Sequence, residues 1–171
     1  NTDLWLLEAE AVAVKLSDID SKNKEYYMSN LENYKKEINN LTEYTKQRIS
    51  EIPESKRVLI TAHDAFGYFA KQFGLEVKSI QGISTDSEAG TKDISELADF
   101  IVKRQIKAVF IESSVPRKTI ESLQEAVKAR GQEVRIGGEL YSDSLGDKEH
   151  DTDTYIKTVK KNVDVIVEAL K

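Results

Sequence analysis

Pro53 divides this sequence into two periodicities, and that division limits what the chain can fold into. On its N-terminal side, Asn23 to Ile52 contains no Gly or Pro, and Tyr27, Leu31, Tyr34, Ile38, Leu41, Arg48 and Ile52 recur every three or four residues. The spacing predicts one long helix, roughly 45 Å at about 1.5 Å per residue, stopped by the proline ring. A coiled-coil strand is the alternative, but Asn30, Asn39, Asn40 and Thr45 dilute its heptads. Upstream, Trp5, Leu6, Ala9, Val12, Ala13, Leu16 and Ile19 predict an amphipathic helix over 5–19 whose apolar face needs a partner.

Beyond Pro53 the pattern becomes short apolar runs alternating with helices. Val58 to Ala62, Val77 to Gln81, Ala108 to Ile111 and Glu133 to Ile136 read as strands. Between them, helices are expected up to Phe73 with Gly74 as a left-handed cap, over Asp93–Gln105, and over Lys118–Arg130 with Ser113 or Ser114 as N-cap and Gly131 as stop. A polar loop covers Gly82 to Lys92, a Gly-rich acidic loop covers Gly137 to Asp153, and Thr154 to Leu170 closes the chain as a helix. The expected class is α/β, a four-stranded, parallel, doubly wound sheet flanked by helices and preceded by the long helix. Two parts follow, 1–53 with the N-terminal and spanning helices and 54–171 with the α/β lobe.

Composition narrows the function. A chain of 171 residues, 39% hydrophobic and 32% charged, suits one globular domain or one lobe of something larger. The net charge of −5, with Lys and Arg scattered, leaves no electrostatic footprint for nucleic acid. No run of about 18 apolar residues is present to span a bilayer, and zero cysteines exclude disulfides and thiolate chemistry. The start, Asn1-Thr2-Asp3-Leu4-Trp5, is neither a signal peptide nor an initiator Met, and reads as a processed or cut chain.

Parallel strands direct the residues past their carboxyl ends to one edge, where ligands bind in open α/β sheets. That edge should carry His63 after the first strand, Glu112 after the third, and Glu139 to Asp143 after the fourth. Imidazole with carboxylates is a donor set for zinc, manganese or ferrous iron; a hydrogen-bonded structural histidine is the alternative. Asp64 is expected to stabilise the N-terminus of the helix that follows it. Asp147 to Asp153, around His150, reads as a solvated acidic loop. Asp18-Ile19-Asp20-Ser21-Lys22 lacks the Gly of a calcium loop, and no phosphate-binding glycine pattern is present.

Four stretches in order carry a family resemblance: His63-Asp64-Ala65-Phe66-Gly67-Tyr68-Phe69, Gln81-Gly82-Ile83-Ser84-Thr85 with Glu88, Phe110-Ile111-Glu112-Ser113-Ser114, and Gly137-Gly138-Glu139-Leu140-Tyr141-Ser142-Asp143. Together with the long helix upstream, they resemble the TroA-type solute-binding proteins that deliver zinc or manganese to ABC importers. The resemblance implies one lobe of a two-lobed protein, the spanning helix and C-terminal lobe, with an N-terminal lobe missing. It implies two metal ligands here, His63 and Asp143, of four in the family. Trp5 fits the pattern around a further family histidine, but Asp3 stands where that histidine would be, as a substituted oxygen ligand, a lost ligand, or an accident of where the chain begins. Asp64 and Glu112 are then supporting groups around the ligands.

The implied function is extracytoplasmic capture of a zinc or manganese ion, as cargo, for a membrane permease. The setting is periplasmic or at the cell surface, with a lipid anchor in the full-length form left open, and no reaction is catalysed. Two other classes use the same features: a metal-dependent hydrolase with an open coordination position at the strand-end cluster, and an adhesin or other interaction module docking through the long helix.

Overall fold

A computed structural model describes residues 1–83 and 90–171. Ser84, Thr85 and Glu88, which belong to the second of the four stretches, and most of the expected loop from Gly82 to Lys92 lie outside the described residues. The chain forms two compact units, Asn1–Gln47 and Arg48–Lys171.

The first unit is a helical hairpin. Helix α1, Thr2–Ile19, is capped by Asn1, whose side chain accepts from the Leu4 N–H at 2.9 Å. A 3-10 turn, Ser21–Asn23, reverses the chain into α2, Lys24–Ser50, the long helix expected from the Gly- and Pro-free stretch, whose last residues belong to the second unit. Asp20 organises the reversal by accepting from Asn23 Nδ2 and the Tyr27 hydroxyl, and both bonds lower its carboxyl pKa. Trp5 Nε1 donates to the Tyr34 hydroxyl at 2.7 Å, and the hydroxyls of Thr2 and Thr42 meet at 2.7 Å. Of the apolar stripe expected on α1, Ala13 is buried while Val12 and Ile19 are exposed.

In the second unit every strand is followed by a helix. The order is β1 (Val58–Thr61), α3 (Gly67–Phe73), β2 (Glu76–Ser79), α4 (Thr91–Arg104), β3 (Ala108–Glu112), α5 (Lys118–Lys128), β4 (Arg135–Leu140) and α6 (Tyr155–Leu170). Gly74 closes α3 at φ 75°, the left-handed cap expected there. The strands are parallel, with hydrogen-bonded ladders joining β1 to β2 and β3 to β4, and β1 lying beside β3. The four strands therefore form two ladders in the order β2-β1-β3-β4, rather than one continuous ladder. At the end of the β1/β3 seam, the N–H groups that would extend a ladder donate to a side chain, described below.

Both faces of the strands are covered, so period-2 alternation divides one core into two layers. Val58, Ile60 and Val109 pack with Leu97, Ile101, Ile120, Leu123 and Val127 of α4 and α5. On the other face, Phe110 lies against β4 under α6, where Val163, Ile166 and Val167 are buried. Burying each of these large apolar side chains contributes about 1.5–3 kcal/mol. Two arginines tie elements together at the surface. Arg130 on the turn after α5 donates to Asp99 and Ser95 of α4, and Arg48 at the end of α2 pairs with Glu51 and with Asp164 and Glu168 of α6.

β4 departs from expectation by running through Gly137-Gly138 to Leu140. Phe110 pairs with Gly138 and Val109 with Ile136, leaving Gly137 as an extra residue in a bulge. The glycines are required by crowding: a Cβ on Gly137 would stand 2.7 Å from Ala169 Cβ, and one on Gly138, at φ 150°, would stand 2.5 Å from Val165 Cγ1. Glycine weakens strand propensity, so a strand ending at Ile136 is the expectation, whereas here the glycines admit α6. Gly138→Ala is expected to destabilise the protein by about 2–3 kcal/mol in urea denaturation through overpacking and backbone strain. Arg48→Ala is expected to cost about 1 kcal/mol, since its partners are partly exposed, and the loss should shrink in high salt.

Candidate metal centre

The order β2-β1-β3-β4 has a topological switch point between β1 and β3, because the connections leaving those strands go to opposite sides, and ligand crevices form at such points. His63 lies two residues past the end of β1, and Glu112 is the last residue of β3. Both are buried. Glu112 Oε1 accepts from the backbone N–H of Ala62 and of His63, each at 2.9 Å, which fixes the turn that carries the imidazole. Thr61 Oγ1 tightens it further by donating to the His63 carbonyl at 2.9 Å.

The second carboxylate oxygen, Glu112 Oε2, is 2.8 Å from His63 Nδ1, close enough for strong attraction though not aligned as a hydrogen bond. A carboxylate at Nδ1 favours the tautomer with its proton there and leaves Nε2 free to ligate. Nε2 is 3.5 Å from Oδ2 of Asp143. That separation exceeds the usual 2.7–3.2 Å of an N–H···O hydrogen bond. It matches two ligands on one tetrahedral ion, since bonds of about 2.0–2.1 Å to imidazole nitrogen and carboxylate oxygen place those atoms about 3.4 Å apart.

Asp143 is half-exposed, on the turn after β4. Its position is set by the backbone before it. Tyr141 donates its N–H to Asn162 Oδ1 at 3.0 Å and accepts from Asn162 Nδ2 at 2.7 Å, so a buried amide on α6 acts as a substitute strand for this residue. Ser142 Oγ pairs with Ser114 Oγ at 2.9 Å, joining the turns after β4 and β3. The two ends meet in an open depression of about 410 Å³ lined by His63, Asp64, Tyr68, Lys71, Ile83 and Asp143 among others, with Tyr68 and Ile83 exposed at its rim.

The structure brings together His63 and Asp143, and no group of three or more His, Asp or Glu side chains suited to a metal occurs among the described residues. Of the carboxylates expected at this edge, Glu112 and Asp143 reach the imidazole, one at each ring nitrogen, and Glu139 is not brought there. Glu139 lies within β4, paired with Ile111, and Glu112 turns inward to the backbone. Asp64 makes no capping hydrogen bond to α3, whose N-cap is Phe66, but its Oδ1 would stand 3.5 Å from a Cβ on Gly67, the first residue of that helix, so its charge lies at the helix N-terminus as expected. Arg117, not Ser113 or Ser114, stands at the N-cap of α5. Asp3 is in the first turn of α1, in the other unit. The acidic loop closes on itself: His150 meets Asp147 through its backbone N–H and its ring, which lower the Asp147 pKa, and buried Thr152 bonds back to Asp147. Asn162 escaped the sequence reading; its signal is a polar residue on the buried stripe of α6, one turn after Thr158.

Comparison with known proteins places this geometry in context. Residues 1–169 match the family model described as zinc-uptake complex component A periplasmic, ZnuA. The chain is 44% identical over 167 residues to the zinc-binding protein TroA of Treponema pallidum, covering 98% of this chain and 54% of TroA. It is 40% identical over 168 residues to the manganese-binding lipoprotein MntA of Bacillus subtilis, covering 98% and 55%. It is 29% identical over 170 residues to the metal ABC transporter substrate-binding lipoprotein FimA of Streptococcus parasanguinis, covering 99% and 53%. The solved structure of the periplasmic zinc-binding protein TroA superposes with a TM-score of 0.96 at 43% identity, over 99% of this chain and 61% of that one. The chain thus spans about half the length of the curated relatives it matches. With nearly every residue matched in sequence and in fold, the chain belongs to the ZnuA family of periplasmic zinc-uptake components.

Proposed function

We propose that this chain is the C-terminal, metal-holding part of an extracytoplasmic zinc- or manganese-binding protein that serves an ABC importer, with His63 Nε2 and Asp143 as two ligands of the transported ion. The observation that carries this reading is the 3.5 Å spacing between those two atoms at the switch point, too wide for a hydrogen bond and suited to a shared ion. The relatives support the class of cargo, since one is named for zinc and another for manganese. The substrate-binding lipoprotein among them supports a setting outside the cytoplasm and a membrane permease as recipient. The chain captures and hands on its ion without catalysing a reaction. A half-exposed carboxylate suits that task, because it exchanges water for metal at low cost, while the buried imidazole supplies a fixed point of attachment.

Two protein ligands leave most coordination positions to water or to the remaining half of the longer protein, so the isolated chain should bind with modest affinity. Calorimetric titration of the metal-stripped chain with zinc and with manganese is expected to give one site. His63→Ala and Asp143→Ala should each weaken it by about two orders of magnitude. One-site binding untouched by both substitutions would overturn the assignment.

Glu112 should act through His63. Glu112→Gln keeps a carbonyl oxygen for the two backbone donors but loses the charge beside Nδ1, and is expected to preserve the fold while lowering metal affinity about 10–100-fold. Glu112→Ala leaves two buried N–H groups without an acceptor and should also cost about 2–4 kcal/mol in urea denaturation.

A further inference from the structure

The second unit has another concave feature, at the edge opposite His63. Lys56 precedes β1, Lys107 precedes β3 and Arg135 opens β4, so the starts of these parallel strands bring three cations to one place. Arg104 joins them from the last residue of α4 and Lys171 from the end of α6. They line a cavity of about 330 Å³ whose walls include buried Val58 and Ile106. Among the described residues no aspartate or glutamate lines it, although the chain as a whole carries a net charge of −5.

Basic residues at this edge have an ordinary explanation, because helices in a doubly wound unit end here and cations offset the carbonyl ends of their dipoles. That explanation accounts for part of the cluster. Arg104 sits in the last turn of α4 and is 3.5 Å from Glu76, Arg135 Nη2 donates to the Ala169 carbonyl at the end of α6, and Lys171 pairs with Glu168. It leaves out Lys107, which belongs to no helix, and applies only weakly to Lys56, the last residue of the three-residue 3-10 turn Glu54–Lys56; among the described residues neither has an acidic partner within ion-pair distance. Two exposed cations without counter-charge, lining one cavity that has buried apolar residues in its walls, are arranged for an anion that can meet both. Phosphate oxygens fit this chemistry, since Lys acts on them as a point charge and Arg as a planar donor. The volume lies at the lower end of ligand pockets.

We propose that this cavity binds a small phosphate-bearing ligand, at a site independent of the His63 and Asp143 edge. The test uses the intact, metal-free chain and follows backbone amide shifts during titration with inorganic phosphate and with glycerol phosphate. In parallel, flotation is measured with vesicles of phosphatidylglycerol against vesicles of phosphatidylcholine. Saturable shifts confined to residues 54–58, 104–108 and 135, weakened at least about tenfold in Lys56→Ala/Lys107→Ala, would support the proposal with a free phosphate compound as ligand. Flotation with phosphatidylglycerol alone, abolished by the same double substitution and without response to the soluble phosphates, would support it with a lipid headgroup as source. Unchanged binding in the double variant, shifts scattered over lysines elsewhere, or no response to any of the probes would overturn it. Both lysines are exposed, so the variant is expected to keep its fold and its zinc titration.

Discussion

A carboxylate sealed from water must find its hydrogen bonds inside the protein, and Glu112 finds them on the turn that has to be held still. One oxygen takes the N–H groups of Ala62 and His63, and the other faces the imidazole. The backbone at this point lies where the two ladders part, so no strand neighbour supplies an acceptor. The charged side chain therefore does three things: it satisfies the end of β1, joins β1 to β3, and orients the histidine. Each would be costly to supply separately in a dry interior.

The other arm of the site is held differently. Asp143 is half-exposed, and the side chains near it bind to each other and to the main chain, Ser114 to Ser142 and Asn162 to Tyr141. The position of the carboxylate is fixed through its backbone, while its side chain is about half open to solvent. Under the proposed function, a fixed nitrogen donor opposite a solvent-open oxygen donor would suit an ion that must be taken up and later released.

Much of this was legible in the residues. Pro53 marked the end of α2 within three residues, Gly74 announced its left-handed cap, and the apolar runs at Val58 and Ala108 located the strands whose ends carry His63 and Glu112. What was not legible depends on contacts between distant segments. The glycine pair in β4 looked like a loop because its reason, the approach of α6, lies almost thirty residues away in the chain. The serines before α5 looked like caps, but one of them is committed across the sheet edge to Ser142. Glu112 and Glu139 looked equivalent as strand-end carboxylates, yet one faces inward to backbone donors and the other lies inside a ladder. Local propensity assigns element types; it does not say which way an acid at a strand end will turn.

The bulge at Gly137 absorbs one residue of β4, so each residue after it stands one step, about 3.3 Å, earlier along β3 than an unbroken ladder would place it. Leu140 is thereby set opposite Glu112 and buried, and the chain enters the turn with Asp143 within 3.5 Å of the imidazole. In an unbroken ladder counted from Ile136, Glu139 rather than Leu140 would stand opposite Glu112, and the chain would leave the end of β3 one residue sooner. The extra glycine takes up one residue of chain inside the sheet, and so decides which residue leaves it beside Glu112 and how much chain remains for the turn that carries Asp143.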